Sequence, residues 1–470
     1  MKVLKILIVM LILIMSVGAV CAAESITEDA IGDDSKEILE TVQEDITTED
    51  SSDILETAQN DIYTASDDSF TNLTDEINSK DVVDLTHDYK FNNETDDKSG
   101  IVISKDNFVL NGNGHTIDGN NQSRIFAIGG KNVTLSNLIL INGNADNGGA
   151  VWVEGTATLN NVTFINNYAT QGGAVALLFD DVLNINNSKF IDNRGNVGSS
   201  IYVENGKLNL YNTEFTSAIP TKRSQIVIKG AEGYVDNATF ANIVANYTPA
   251  IYMEKTKALT ILNSKFINLT ANISSGAMGV KSGGVLYIRN CEFINVTSAK
   301  NAGAIHADIT GDNNFRGNVT ILDTVFRDTS SGFGGAYIQF GGKLIINNTE
   351  FTNCHATYNG GSVYISYVDY AEVNNCNFTS NGVSIIEGYP TYGGAMVIDM
   401  STISINNSRF INNTASAGSA IYAYDASYDI RNSLFENNTN PIYTFFDVES
   451  NIDTSNTFNN DKNVSTNNTF

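Results

Sequence analysis

The chain has 470 residues and a formal net charge of −26, which is enough material for a large domain or several. The acidity argues against nucleic acid as a partner, because few basic side chains are available to neutralise phosphates. The four histidines are scattered without ligand spacing, and we predict neither a metal site nor a cofactor.

Residues 1–23 are typical of a secretory signal peptide. Lys2 and Lys5 form a basic end, an apolar run follows over residues 6–20, and Cys21-Ala22-Ala23 is a plausible cleavage site. An uncleaved anchor is the alternative, although the run is slightly short for a spanning helix. We expect a secreted, extracellular or cell-surface protein whose mature chain does not insert into a membrane.

Residues 24–68 carry more than half of the net charge in about a tenth of the length. Their carboxylates are too dense, and their apolar side chains too few, to build a core. We predict an acidic, disordered spacer.

Regular structure is expected from residue 69 onward. Ser69 is a suitable helix N-cap, and Phe70, Leu73 and Ile77 share one helical face. Because the first layer of an elongated stack needs covering, we predict a short capping helix here.

A repeat of about 25 residues then dominates the chain. Its anchor is Leu140 in the first copy and a phenylalanine in the eleven that follow, at Phe164, Phe190, Phe215, Phe240, Phe266, Phe293, Phe326, Phe351, Phe378, Phe410 and Phe435. The position five residues earlier is always aliphatic, and the one two residues before that is mostly apolar. This alternation predicts a strand with one buried face, and a period of this length indicates a repeat architecture.

Three positions before each anchor stands an almost unbroken column of asparagine. Its members are Asn137, Asn161, Asn187, Asn212, Asn237, Asn263, Asn290, Asp323, Asn348, Asn375, Asn407 and Asn432. Stacked coils would place these amides in a hydrogen-bonded ladder, and Asn tolerates the left-handed backbone of a sharp turn. A second polar column follows each anchor by two residues, and we assign it the same role.

A Gly-Gly-Ala motif and a further strand come roughly ten residues after each anchor, as in Gly148–Val151. Paired glycines permit a tight corner where neighbouring coils approach closely. One repeat therefore closes one turn, and parallel crossovers are right-handed. We predict an all-β, three-faced, right-handed parallel β-helix of about 12–14 coils over residues 69–440. A partial coil and polar tail are expected over residues 441–470.

The motifs that carry a family resemblance are Gly148–Val151, Phe164–Asn167 and their later copies, together with Leu110–Gly119 at the start. They resemble the repeats of chlamydial polymorphic outer-membrane proteins. More closely, the chain is similar to adhesin-like surface proteins of methanogenic archaea. The resemblance covers about residues 69 to 440 and implies a β-helical fold and a role at the cell surface.

Cys291, Cys354 and Cys376 are the cysteines beyond the predicted signal peptide. Cys291 and Cys376 share a column but are about three coils apart, too far to form a disulfide, so we expect reduced, semi-buried thiols. Nineteen Asn-x-Ser/Thr triplets occur, and in a secreted chain some are expected to be glycosylated.

The strand after Gly-Gly-Ala carries the candidate binding residues on its outward side. Those two positions past the Ala are Trp152, Tyr202, Tyr252, His306, Tyr364 and Tyr422. Two positions further on, the charges of Glu204, Lys229, Glu254, Lys281 and Asp308 alternate in sign. One interpretation is structural, with cross-strand ion pairs and aromatic packing. The other is an exposed stripe whose rings stack on the sugars of a glycan.

We therefore predict a non-enzymatic, adhesin-like protein that binds glycans or partner-cell surface proteins through this strand face. The first alternative is a polysaccharide lyase or glycoside hydrolase on the same fold, for which Asp180 and Asp181 are the best carboxylate pair. We interpret Asp323 as a replacement within the Asn column rather than a catalyst. The second alternative is an inert structural cell-wall component. The sequence does not determine the oligomeric state.

Overall fold

The computed structural model describes residues 68–310, 317–385, 389–446, 449–460 and 465–467. The predicted signal peptide and all but the last residue of the predicted acidic spacer lie outside these ranges. The described residues belong to one compact unit.

A helix, α1, spans Phe70–Ser79 and covers the first coil. Ser69 caps it by accepting a 3.3 Å hydrogen bond from the Asn72 amide, and Phe70, Leu73 and Ile77 are buried. The Asp96 carboxylate accepts hydrogen bonds from the first two helical N–H groups, at 3.0 and 2.9 Å. Those donors have no intrahelical partner, so Asp96 fastens the helix. The predicted capping helix is confirmed.

The described residues after the helix wind into a right-handed parallel β-helix of about 14 turns, as predicted. Every strand pairs in parallel with the corresponding strand one turn away, which places equivalent side chains of successive repeats in files along the rod. Three main rows of strands run along the rod. We call them face A, face B and face C, in the order in which the chain passes through them within one coil, so that each coil ends with the strand that follows Gly-Gly-Ala.

Face A holds the aliphatic strand of each repeat. Its strands are Val82–Asp84, Val109–Asn111, Val133–Ile141, Ala157–Ile165, Val182–Asn186, Lys207–Tyr211, Glu232–Asp236, Ala258–Leu262, Val285–Arg289, Asn318–Leu322, Lys343–Asn347, Tyr370–Asn374, Thr402–Asn406, Ser427–Arg431 and Glu449–Ile452. The two strands of nine residues, Val133–Ile141 and Ala157–Ile165, continue around the corner into face B.

Face B holds the Phe strand of each repeat. Its strands are Tyr89–Lys90, Thr116–Asp118, Lys189–Ile191, Glu214–Thr216, Thr239–Ala245, Lys265–Ala271, Glu292–Ser298, Val325–Arg327, Glu350–Thr352, Asn377–Thr379, Arg409–Ile411, Leu434–Glu436 and Thr457–Asn459. A short row follows it in some coils, with strands Asn144–Asn147, Tyr168–Gln171, Arg194–Val197, Ser330–Phe333, His355–Asn359 and Gly382–Val383.

Face C holds the strand that follows Gly-Gly-Ala. Its strands are Ile101–Ile103, Phe126–Ile128, Val151–Val153, Val175–Leu177, Ile201–Glu204, Ile226–Lys229, Ile251–Glu254, Met278–Lys281, Ile305–Asp308, Tyr337–Phe340, Val363–Ser366, Met396–Asp399, Ile421–Tyr424, Ile442–Phe445 and Ser465–Asn467. The strands of all three faces continue beyond residue 440, so the coils extend through most of the segment predicted as a partial coil and tail.

The anchor phenylalanines form one stack through the interior. From Phe164 to Phe435 consecutive rings are 4.4–5.1 Å apart and within 9° of parallel, and Phe458 extends the stack by one ring. Isolated aromatic pairs prefer offset or edge-to-face contacts. Here the strand spacing of about 4.8 Å imposes the parallel arrangement.

The Asn column turns the corner between faces A and B. All twelve members have the predicted left-handed backbone, with φ between 48° and 56°. The Asn161 Nδ2 donates to Asn137 Oδ1 at 2.8 Å, and Asn212 donates to Asn187 at 3.0 Å. Asn187 itself donates to Asn160 rather than Asn161, at 3.0 Å. The predicted ladder is therefore confirmed, and at some coils its partner is the residue next to the expected one.

A second row of asparagines lies inside the rod, directly after the second corner. Asn167 and Asn193 are fully buried, and their amides donate to the carbonyl oxygens of Leu140 and Phe164 in the preceding coil, at 3.0 and 2.9 Å. Asn381, Asn413 and Asn438 repeat the pattern. These amides satisfy backbone carbonyls at a place where the chain bends out of the strand ladder.

The three described cysteines are free and completely buried, rather than semi-buried as expected. Burial raises the pKa of each thiol to about 12. The thiolate is the reactive form, so these cysteines are packing residues.

Candidate functional site

The predicted outward residues of face C do form a single file. The register places, from coil to coil, Trp152, Ala176, Tyr202, Val227, Tyr252, Gly279, His306, Ile338, Tyr364, Val397, Tyr422 and Tyr443 in one row. The six predicted residues therefore occupy alternate coils, and a smaller or aliphatic residue separates each from the next.

The six residues do not form a continuously exposed stripe. Tyr202, His306 and Tyr364 are only 2%, 8% and 7% exposed, while Trp152, Tyr252 and Tyr422 are half-buried. The alternation explains the burial, since a large ring leans over the smaller residue beside it. A Cβ added at Gly279 would lie 3.0 Å from Cδ2 of the Tyr252 ring.

In the N-terminal half of face C, charged side chains contact this row of outward residues. The Arg124 guanidinium lies 4.7 Å from the Trp152 ring centroid and donates to the carbonyls of Asn147 and Ser99 at 3.2 and 3.3 Å. One ring face of Trp152 is therefore occupied by a cation–π contact. The Tyr202 hydroxyl donates to Glu204 at 3.0 Å. Trp152 and Tyr202 each therefore interact with another side chain of the protein.

The alternating charges of the neighbouring file lie on successive coils, as predicted. The register pairs Glu204 with Lys229, Lys229 with Glu254, Glu254 with Lys281 and Lys281 with Asp308. The Lys229 ammonium lies 3.0 Å from Glu204 Oε1. This half of face C is therefore organised by interactions within the protein.

The C-terminal half of face C is different. Segments that precede the strands fold over the file and contribute Ala302, Phe333 and Tyr392, which pack with Tyr364 and Val397 in a second apolar cluster outside the main core. The Tyr392 ring lies 4.4 Å from Tyr422. Exposure increases from Tyr364 toward the last coils, where the rings are half-buried.

Aromatic rings occupy both outward files of these last coils. Tyr422 and Tyr443 stack at 5.9 Å with a 7° angle, and Tyr424 and Phe445 stack beside them at 5.9 Å and 13°. We define the C-terminal aromatic cluster as Tyr364, Tyr392, Asp399, Tyr422, Tyr424, Tyr443 and Phe445. Its two parallel rows of rings form a half-buried apolar surface.

The carboxylate of Asp399 lies at the edge of this cluster, in register with Ser366 on one side and Tyr424 on the other. It accepts hydrogen bonds from Ser366 Oγ at 2.7 Å and from the Tyr364 hydroxyl at 3.2 Å. Burial raises the pKa of Asp399, the two hydrogen bonds oppose that shift, and the nearby Asp425 adds to it. No Lys or Arg occurs on the five face C strands from Tyr337 to Phe445.

Tyr364 and Tyr422 were identified from the sequence, but Tyr392, Tyr424, Tyr443 and Phe445 were missed. Tyr392 belongs to an irregular segment that no periodicity marks. The other three could have been found, because Ile-Tyr-Ala-Tyr at Ile421–Tyr424 and Ile-Tyr-Thr-Phe at Ile442–Phe445 repeat one pattern. The second copy follows Pro441 and lacks Gly-Gly-Ala, which hid its position in the repeat.

The carboxylates considered for catalysis are separated from this cluster in the chain. Asp180 is exposed and Asp181 is half-exposed, and Asp181 contacts Thr156 Oγ1 only at 3.5 Å. Asp323 accepts from Arg289 Nε at 2.9 Å and from Asn348 Nδ2 at 2.8 Å, which agrees with its interpretation as an Asn-column replacement.

A groove of about 660 Å³ runs along the outside of the Asn corner and includes Arg289 and Asp323 in its lining. It is an open, polar channel in which Arg289 pairs with Asp323, while Glu350 pairs with Arg327. In the described part of the chain, no three His, Cys, Asp or Glu side chains come together as metal ligands. Within the same residues, no helix has the length and apolar character to cross a membrane.

Fold and surface together define a right-handed parallel β-helix with an aromatic, carboxylate-bearing cluster at one end of face C. A family model described as a right-handed β-helix region matches residues 280–470, the part of the chain that contains this cluster.

Among curated proteins, the chain is similar to metabotropic glutamate receptor-like protein R of Dictyostelium discoideum. The two are 32% identical over 122 residues, which is 26% of this chain and 7% of that protein. The chain thus spans a small part of this relative's length.

Among solved structures, alginate lyase AlyF-OU02 in complex with G6 aligns at 11% identity with a TM-score of 0.41, covering 83% of this chain and 86% of the lyase. PfbA, a surface adhesin of Streptococcus pneumoniae, aligns at 12% identity with a TM-score of 0.36, covering 84% and 93%. By their names, one of these neighbours is an enzyme and the other an adhesin.

Proposed function

We propose that this chain is an extracellular, adhesin-like protein that binds glycans through the C-terminal aromatic cluster. The observation that carries the proposal is the pair of parallel ring rows, Tyr422–Tyr443 and Tyr424–Phe445, beside the Asp399 carboxylate. Of the six residues predicted from the sequence to bind a ligand, only Tyr364 and Tyr422, at the C-terminal end of the row, belong to this proposed binding surface.

The rings supply the apolar part of the recognition. Tyrosine is amphipathic and enriched at binding hot spots, because it buries a large flat area and keeps a polar tip. The C–H face of a sugar ring fits such a surface. Rows that run along the rod would accommodate a polymer in steps of one coil, about 4.8 Å.

Asp399 supplies the polar part. A carboxylate that already accepts from Ser366 and Tyr364 still has acceptor positions for sugar hydroxyls, and hydrogen bonds to an ionised acceptor are stronger than neutral ones. Its partly buried position would strengthen them further.

The charge pattern favours uncharged or amine-bearing sugars over uronates. Asp399 and Asp425 give the surface a negative potential, and the five nearby strands provide no Lys or Arg. Bringing a second carboxylate to this surface would be repulsive. The overall charge of −26 acts in the same direction.

The test is a glycan array on the full chain that includes neutral, amino-sugar and uronate polymers. The double variant Tyr422→Ala/Tyr424→Ala should lose binding at least tenfold. Tyr370→Ala is the matched control, since Tyr370 is an exposed tyrosine on face A of a nearby coil and its loss should leave binding unchanged. Equal binding by all three proteins would refute the site. Absence of binding to any array component or partner-cell surface would favour the inert wall component.

One observation favours a second candidate, a glycoside hydrolase. Burial raises the pKa of Asp399, and Asp425 lies near enough to add to that shift. Glycoside hydrolases work with a pair of carboxyl groups. If the protein hydrolyses a neutral polysaccharide, reducing ends should accumulate on incubation, and Asp399→Asn and Asp425→Asn should each abolish the release. No release by the unmodified chain, on polymers that it binds, would exclude this candidate.

A further inference from the structure

The rod carries its potential N-glycosylation sites in an ordered way. Nineteen Asn-x-Ser/Thr triplets occur in the chain, and two of them, at Asn463 and Asn467, begin outside the residues whose side chains are described. In each of the remaining seventeen, the acceptor Asn is exposed or half-exposed. The buried interior asparagines, such as Asn167 and Asn413, do not begin a triplet.

The acceptors are also unevenly distributed around the rod. Asn72 lies on the capping helix, and the others lie on faces A and B, at the corners and in the segments between strands, as Asn161, Asn268 and Asn377 illustrate. The face C strands from Ile101–Ile103 to Ile442–Phe445 contain no acceptor Asn, whereas the last face C strand, Ser465–Asn467, ends in the acceptor Asn467. The strands of face C are therefore free of potential glycan attachment points as far as Phe445.

We propose that the secreted rod is N-glycosylated on faces A and B, and that the face C strands from Ile101 to Phe445 remain bare. The modification rests on the predicted secretion, whereas the use of the bare face for binding rests on the proposed function. Attached sugars would then keep neighbouring molecules away from two sides and leave the face C strands as far as Phe445 accessible.

The chemistry is compatible with the Asn ladder. A bond forms between Asn Nδ2 and the anomeric carbon of a lipid-linked oligosaccharide donor, the bond from that carbon to the donor phosphate breaks, and one amide hydrogen leaves as a proton. Nothing is oxidised or reduced. Each Nδ2 carries two hydrogens, and the bond from Asn268 to Asn242 at 3.0 Å uses one of them. The other is available for the linkage.

Some acceptors are too close together for both to be modified. Asn295 Nδ2 donates to Asn268 Oδ1 at 3.0 Å, and Asn272 Nδ2 donates to Asn246 Oδ1 at 3.1 Å. The two members of each pair lie on neighbouring coils, about 4.8 Å apart. Since a branched oligosaccharide is wider than one coil, we expect at most one member of each pair to be occupied in any molecule.

Intact-glycopeptide mass spectrometry on the full chain from its native source tests the proposal. Glycans should be found on faces A and B, and the occupancies of Asn268 and Asn295 should sum to no more than one. Thr270→Val removes the Asn268 triplet with little change of shape, and it should raise Asn295 occupancy. Thr320→Val, which removes the Asn318 triplet on face A, is the control and should leave Asn295 unchanged.

An entirely unmodified chain would overturn the proposal. Occupancy of Asn268 and Asn295 in the same molecule, or no response of Asn295 to Thr270→Val, would refute the exclusion between neighbouring coils. These mass-spectrometric results do not depend on ligand binding. A glycan array without binding would contradict the proposed function but would not contradict the proposed N-glycosylation.

Discussion

The two halves of face C share one backbone pattern but have different surfaces. In the N-terminal half, Arg124 covers Trp152 and a Lys229–Glu204 ion pair lies beside Tyr202. In the C-terminal half, the same positions carry stacked tyrosines and a carboxylate without a basic partner in register. The comparison teaches that equivalent positions in a solenoid need not have equivalent roles. The neighbouring residues decide whether an aromatic ring packs within the protein or forms part of a binding surface.

The largest expected effect is on the free energy of unfolding, and it tests whether the interior is packed equally well beneath the two halves of face C. Phe215→Ala and Phe378→Ala should each lower the free energy of unfolding by about 3–5 kcal/mol, since both rings are fully buried in the stack. Denaturant unfolding followed by circular dichroism measures it. Unequal losses would indicate that the two halves differ in their cores and not only on face C.

Trp152→Ala should destabilise the N-terminal half without affecting glycan binding. We expect a loss of about 2–3 kcal/mol, below the range for a fully buried Trp because this ring is half-buried. Thermal unfolding and the glycan array are the two readouts. A fall in glycan affinity with unchanged stability would restore Trp152 to the binding surface.

Tyr422→Ala should show the opposite pattern. Its ring faces Tyr443 and Tyr392 near the surface, and we expect a roughly tenfold loss of glycan affinity, about 1.4 kcal/mol, with a smaller loss of stability than for Trp152→Ala. Titration calorimetry with a ligand identified on the array measures it. Unchanged affinity would mean that both halves of face C are structural.

Asp399 should make binding pH-dependent. Because burial raises its pKa, ionising it costs stability as the pH rises through that value, while the ionised form is the better acceptor for sugar hydroxyls. Binding should therefore be full above the raised pKa and weaken as the pH falls through it. Asp399→Asn should reduce affinity by about 1 kcal/mol and flatten the profile. A profile that stays the same in this variant would assign the dependence to another group.

The smallest effect is expected for Lys229→Ala. The pair with Glu204 is partly exposed, so we expect a loss of no more than about 0.5 kcal/mol that disappears at high salt, with no change in binding. A loss above about 1 kcal/mol would show that the charge ladder contributes more to the N-terminal half than surface pairs usually do.

Much of the fold could be predicted because each repeat presents the same layer. Asn161 and Asn212 recur at one position in the repeat, and only parallel stacking lets such amides bond to one another while turning the same corner. The Phe column followed for the same reason. The face C file, with Trp152 and Tyr422 in one row, was also predictable, since register follows from the repeat.

The exposure of that file could not be predicted from the column. Ala176, Gly279 and Val397 lie between the rings, and they matter only once successive coils are stacked. Tyr392 is the clearest case, because it comes from an irregular segment and reaches Tyr422 across the outside of the sheet.

The sequence by itself determined the winding, the corners and the order of side chains along each face, because these follow from a periodic pattern that every coil repeats. Only the tertiary structure decided which rings of face C are covered and which remain accessible. Coverage depends on the size of the residue one coil away and on segments that fold back over the sheet, and neither is a property of the local pattern.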